Sequence, residues 1–222
     1  LVSEDGDCGY PGEVTAQVVY DFDDENNLEI TLLAKSDATT PVNLTNHTYW
    51  NLAGEGSGKD ILDHELRLNC SNVLEMDSTQ IPTGKYLDVK GTPQDFTQWR
   101  KFGTDLLSEF NYMKNFKGYD HFFVLDGWKP NILAEVGELR CEATGRKVEI
   151  LSSQAGAMLY TGNWLEGGCP ITKSGGRYKD YAGVAIECQN FPNAINEPSF
   201  PSVLLPAGEM YCQKIVFKLG TF

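Results

Sequence analysis

Apolar positions along this chain recur mainly with the two-residue period of strands, in short runs separated by polar clusters. Residues 14–20 read Val-Thr-Ala-Gln-Val-Val-Tyr and residues 28–34 read Leu-Glu-Ile-Thr-Leu-Leu-Ala, with the acidic stretch 21–27 between them. That arrangement predicts a hairpin, because β-branched and aromatic residues suit a pleated surface while Asp and Asn suit the turn. Further strands are predicted at 65–70, 121–126, 131–144, 147–153, 157–160, 183–189 and 210–218. One stretch has the helical period instead: over 98–109, Trp99, Phe102, Leu106 and Leu107 fall at roughly helical spacing.

The 22 glycines and 10 prolines cluster between these runs, which punctuates many short strands rather than long helices. No repeat, heptad or low-complexity linker divides the chain. The expectation is one all-β domain over residues 1–222, folded as a sandwich or a large barrel-like sheet. Hydrophobic residues at 41% and charged residues at 22% are globular values.

Charge narrows the partners. Eighteen Lys and Arg against 31 Asp and Glu leave a net charge of −13, a field that repels phosphate backbones and anionic membranes. A neutral small molecule meets no such repulsion. No apolar run is long enough to span a bilayer, and the opening residues, from Leu1 to Asp5, lack the basic and apolar segments of a signal peptide. The six cysteines (Cys8, Cys70, Cys141, Cys169, Cys188, Cys212) form no CxxC pair and stand near no spaced histidines, which excludes zinc and thioredoxin-type sites. Reduced thiols in a cytoplasmic compartment are the expectation. Asn43 and Asn46 each match the glycosylation sequon, but the same residues belong to a motif with a chemical reading.

Three segments place titratable residues among aromatics. In PVNLTNHTYWNLAG (41–54), His47 is flanked by Asn46, Thr48, Tyr49 and Trp50, neighbours able to fix an imidazole and to offer a stacking face. In FKGYDHFFVL (116–125), Asp120 and His121 are adjacent, so on a strand one faces a site and the other faces packing. In YAGVAIECQNFPNA (181–194), Glu187 ends a run of Val, Ala and Ile, where desolvation raises a carboxyl pKa toward that of a useful base. Each segment also has a structural reading: a satisfied histidine, an Asx turn, a glutamate on a solvated face.

Taken in order, the motifs resemble the aldose 1-epimerase (galactose mutarotase) family. They run from DGDCGYPG (5–12) through PVNLTNHTYWNLAG, IPTG (81–84), GYDH (118–121), YTGN (160–163) and ECQNFP (187–192) to FPS (200–202) and PAGE (206–209). The resemblance implies a large antiparallel β-sandwich and an isomerase that needs no cofactor and no metal. It implies His47 as proton donor, Glu187 as base and Asp120 as a ligand of sugar hydroxyls. Asn46, Tyr49, Trp50 and Asn163 are the further substrate contacts, with Trp50 or Trp164 as the stacking ring. A free sugar is the implied partner, and monomer and dimer both remain open.

Two departures accompany the resemblance. The family carries a further amino-terminal segment of several strands, with an arginine and a second histidine, so strands are expected to be missing and apolar surface exposed. The family also often has glutamine where this chain has Met158, which leaves the preferred sugar open. A non-catalytic carbohydrate-binding relative is the alternative reading. A two-carboxylate glycosidase using Asp120 and Glu187 is a more distant one, since it gives the TNHTYWN run no role.

Overall fold

A computed structural model of the chain describes residues 1–106, 116–168 and 171–222. The strands, numbered in chain order, all pair antiparallel with their neighbours. The larger sheet runs from edge to edge as β1 (Val2–Ser3), β2 (Val14–Phe22), β3 (Asn27–Ser36), β16 (Met210–Thr221), β12 (Arg146–Ser152), β11 (Ala134–Cys141), β6 (Glu65–Leu68) and β9 (Arg100–Lys101). The smaller orders β5 (Tyr49–Trp50), β14 (Val184–Gln189), β13 (Gly156–Tyr160), β10 (Asp120–Val124), β7 (Asn72–Met76) and β8 (Pro82–Asp88). A two-stranded ribbon joins β4 (Thr40–Pro41) to β15 (Leu204–Leu205).

The sandwich forms because each sheet has one apolar face. Ile30, Leu32, Leu66, Leu139, Ile150, Ile215 and Phe217 of the large sheet share one buried cluster with Val73, Phe123, Leu159, Val184, Ile186 and Cys188 of the small sheet. Burial of this kind is worth roughly 1.5–3 kcal/mol per large side chain. The expected β2–β3 hairpin is present, paired from Val14↔Ser36 to Phe22↔Leu28. Its turn is closed by Asp23, whose Oδ1 accepts the Glu25 and Asn27 amides, and by Asn26 at φ 64°.

The helical expectation over 98–109 fails in its described part. Arg100–Lys101 is a strand and Phe102–Thr104 a single 3₁₀ turn; residues 107–109 lie outside the described residues. Phe102 and Leu106 are buried, so their spacing records core packing rather than a helix. Strands β7 and β8 were not expected from the sequence. β8 opens on a proline and contains Gly84, a composition tolerated because it is the edge of its sheet. Cys70, Cys141 and Cys188 are buried free thiols, Cys8 and Cys212 exposed ones, and Cys169 lies outside the described residues. Among the described residues, no helix is long and apolar enough to cross a membrane.

Candidate active site

Alternation along the strands of the small sheet sorts its residues into two faces. In β14, Val184, Ile186 and Cys188 enter the core, so Ala185 and Glu187 face outward. In β13 the same parity turns Met158 and Tyr160 away from the central core. In β10 it turns Asp120 and Phe122 that way, Phe122 being buried in a second apolar cluster with Phe191 and Phe200 and His121 on the inner side. The register then assembles rows across the outer face. Asp120 opposes Tyr160, Tyr160 opposes Ala185, and Ala185 opposes Tyr49. In the adjacent row Glu187 opposes Met158, which opposes Phe122.

His47 reaches this face from the segment that leads into β5. That segment is laced to the end of β14: the Thr45 hydroxyl donates to Cys188 O (2.7 Å), Asn43 Nδ2 to Asn190 O (3.1 Å), and Asn190 N–H to Asn43 Oδ1 (2.9 Å). Asn46 Oδ1 accepts the Thr48 amide at 3.1 Å, a local turn that presents the imidazole between them. His47 Nε2 consequently lies 3.3 Å from Glu187 Oε1, with the imidazole 47% exposed and the carboxylate only 12%. The rings of Tyr49 and Tyr160 stand 4.9 and 6.2 Å from the imidazole and 6.2 Å from each other, centroid to centroid. Ala185, between the two tyrosines in the row, is fully buried, and its small side chain lets the two rings approach each other across the strand.

The electrostatics follow from partial burial. Desolvation raises the Glu187 pKa; the nearby His47 works against that shift and the Asp120 charge adds to it. Asp120 is pushed up to about 6, again by desolvation with His47 opposing. Tyr49 is held up at about 12 by burial, by Tyr160 and by both carboxylates, so it keeps its proton. Among the described residues, no group of three or more His, Cys, Asp and Glu is arranged to hold a metal ion.

Two of the expected substrate contacts, Trp50 and Asn163, lie away from the face, while Asn46 stays beside His47. Trp50 points inward, its ring edge-on to Phe217 at 5.1 Å, because it follows outward-facing Tyr49 on the same strand. Asn163 is fully buried, with its amide committed to the carbonyls of Phe116 and Tyr119, so it cannot reach an open site. Asn46 spends its carbonyl oxygen on the backbone turn described above. Trp164, by contrast, is 63% exposed. It lines a cleft of about 590 Å³ beside β5 that shares Tyr49 with the face carrying Glu187. A larger hollow of about 760 Å³ on the other sheet shares no residue with that face. Tyr160 belongs to the site without having been singled out; only the pairing of β13 with β10 and β14 reveals it.

Comparison with known proteins gives one consistent result. Galactose mutarotase from Bos taurus is 40% identical over 219 residues, covering 99% of this chain and 61% of its own length. Aldose 1-epimerase from Haemophilus influenzae is 36% identical over 224 residues, covering 98% of this chain and 63% of its own length. The solved structure of an aldose epimerase homologue from C. elegans superposes with a TM-score of 0.85 at 29% identity, covering all of this chain and 64% of that one. The chain thus spans somewhat less than two thirds of the length of these relatives. The sequence pattern of the aldose 1-epimerase family matches residues 1–218, and the chain belongs to that family.

Proposed function

We propose that this chain carries the proton-transfer centre of an aldose 1-epimerase that interconverts the α and β anomers of free aldohexoses such as glucose and galactose. The observation that carries the reading is the 3.3 Å approach of His47 Nε2 to Glu187 Oε1 on the open face that Asp120 shares. Opening a pyranose removes a proton from the C1 hydroxyl and delivers one to the ring oxygen. Both oxygens sit on the same carbon, so acid and base must lie side by side. Glu187, with its raised pKa, takes the hydroxyl proton, and His47 in its protonated form supplies the ring oxygen. After rotation about C1–C2 the aldehyde recloses on its other face, and the two roles reverse.

Asp120 accepts hydroxyl hydrogen bonds and holds the rest of the sugar while C1 stays free to turn. Tyr49, Tyr160 and Trp164 supply aromatic surface. Only protons move, so the chemistry calls for no cofactor. The charge of −13 favours a neutral sugar over nucleic acid or an anionic membrane, and the free thiols suit a reducing cytoplasm. One buried cluster drawing on both sheets supports a single folding unit over 1–222. The contact between His47 and Glu187 gives the TNHTYWN run a task that a two-carboxylate glycosidase would not.

Polarimetry on freshly dissolved α-glucose and α-galactose tests the reading. The wild type should speed the approach to anomeric equilibrium, and Glu187→Gln or His47→Asn should each lower kcat by roughly 10²–10⁴-fold. A folded wild type that binds sugar in calorimetry but leaves the spontaneous rate unchanged would replace it with the non-catalytic, carbohydrate-binding alternative.

A further inference from the structure

The GYDH and YTGN runs are about forty residues apart in sequence and meet behind the catalytic face. Asn163 Nδ2 donates to Phe116 O at 2.8 Å and to Tyr119 O at 3.0 Å, the carbonyls on either side of the turn that leads into β10. The Thr161 hydroxyl donates to Asn163 Oδ1 at 2.6 Å, and Thr161 Oγ1 accepts the Tyr119 amide at 3.0 Å. From the opposite side the Tyr181 hydroxyl donates to Lys117 O at 2.7 Å. Thr161 and Asn163 are fully buried.

Gly118 shows how tightly this packing is drawn. Its φ is +152°, and a Cβ there would lie 2.4 Å from Asn163 Oδ1 and 2.8 Å from Thr161 Oγ1. The glycine before Tyr119-Asp120 is therefore required by the asparagine it packs on, and the two runs form one device. Its output is the residue it delivers: Asp120 is the first residue of β10, immediately after the clamped turn, and β10 continues from it into the centre of the small sheet.

We propose that Asn163, together with Thr161, is a positioning residue that fixes the Phe116–Tyr119 turn and so holds Asp120 at its place beside His47 and Glu187. The proposal rests on the reading of Asp120 as a sugar ligand, though the positioning itself does not. A buried side-chain amide serving two carbonyls also stabilises the fold, so loss of stability alone does not separate positioning from scaffolding.

The test uses Asn163→Ser, too short to span both carbonyls, and Thr161→Val, a milder change of similar shape that removes the hydroxyl. The first readout is the titration of the Asp120 carboxyl carbon by NMR. The wild-type group, pushed up to about 6 by burial, should move toward the ordinary carboxylate range in both variants as Asp120 swings toward solvent. The second readout is mutarotation: KM should rise by about tenfold, with a smaller change in kcat, as a displaced ligand predicts. In an Asp120→Asn background the same Asn163→Ser change should leave KM almost where Asp120→Asn alone puts it, since coupled residues are non-additive. Variants that melt earlier while leaving the Asp120 titration and KM at wild-type values would reduce Asn163 to scaffolding and overturn the proposal. A wild type without sugar activity, but with the Asp120 titration moved in both variants, would instead count against the proposed function and leave the positioning role standing.

Discussion

At the scale of single residues, the site depends on three charges held close on a half-dry face. Glu187 is raised first by burial; His47 pulls it down and Asp120 pushes it up. The sign of a substitution follows directly. Asp120→Asn removes a negative charge that disfavours the ionised base, so the Glu187 pKa falls. The acidic limb of kcat/KM, where the base becomes protonated, should therefore move to lower pH even as the absolute value drops with the sugar contact that the proposed function gives Asp120. In the wild type that limb also contains the titration of Asp120, near 6, and the two apparent values belong to the pair rather than to either residue. Rate profiles between about pH 4.5 and 8 check this against the carboxylate reference range, and a limb that stays in place or moves up would contradict the electrostatic account. Tyr49, held up at about 12, stays protonated throughout that range and adds no limb of its own.

At the scale of elements, the register of β10, β13 and β14 makes the site, and β13 is its hinge strip. It is hydrogen-bonded on both sides and contributes Tyr160 and Met158 outward. Gly156 opens this strand under the ring of Phe122: a Cβ there would lie 2.2 Å from Phe123 O and 2.7 Å from Phe122 Cζ. Backbone atoms of a paired strand cannot yield cheaply. Gly156→Ala should cost about 1–3 kcal/mol in urea unfolding, the range for overpacking a core, whereas Gly91→Ala, in open space but at φ +72°, tests backbone strain alone. A Gly156→Ala protein of wild-type stability would show that β13 shifts more freely than this packing allows.

The same elements show what the sequence could reveal. Alternation located the β2–β3 hairpin and the strands around Asp120, Met158 and Glu187, most plainly in β3, where Ile30, Leu32, Ala34 and Ser36 are buried and the residues between them are not. It also correctly assigned Asp120 and His121 to opposite faces. It could not choose which of Tyr49 and Trp50 faces the site, since both suit either face and only the pairing with Ala185 and Val184 decides. Asn163 was misplaced for a related reason: a polar residue in a loop looks equally suited to a ligand or to two buried carbonyls. The short turn at Phe102–Thr104 mimicked a helix because Phe102 and Leu106 pack into the core from irregular backbone. Proximity of His47 to Glu187, 140 residues apart, lay beyond local pattern and was inferred from the order of motifs.

At the scale of the whole molecule, the two sheets are unequal, and the difference falls beside the site. The inner face of the large sheet continues past the small one onto β2, where Val18, Tyr20 and Phe22 share the side of buried Leu32 and Ile30 and half-buried Leu28, their register partners. Yet they are 46, 60 and 58% exposed, an apolar stripe on a nine-residue strand. Asn46, next to His47, leans on its middle, with Nδ2 3.5 Å from Tyr20 Oη. The relatives with which this chain shares its fold are longer by more than a third of their own length. A face of this kind invites association, because uncovered apolar surface on a strand is a template for further packing. Purified chain should therefore bind a dye such as ANS and self-associate as its concentration rises. Val18→Thr, Tyr20→Ser and Phe22→Ser together should suppress both, while far-UV circular dichroism stays the same and stability changes by about 0.5 kcal/mol or less per surface substitution. If the triple variant binds ANS as the wild type does, the exposed stripe is not the source, and the uncovered face must be sought at the β5 edge beside Trp164 instead.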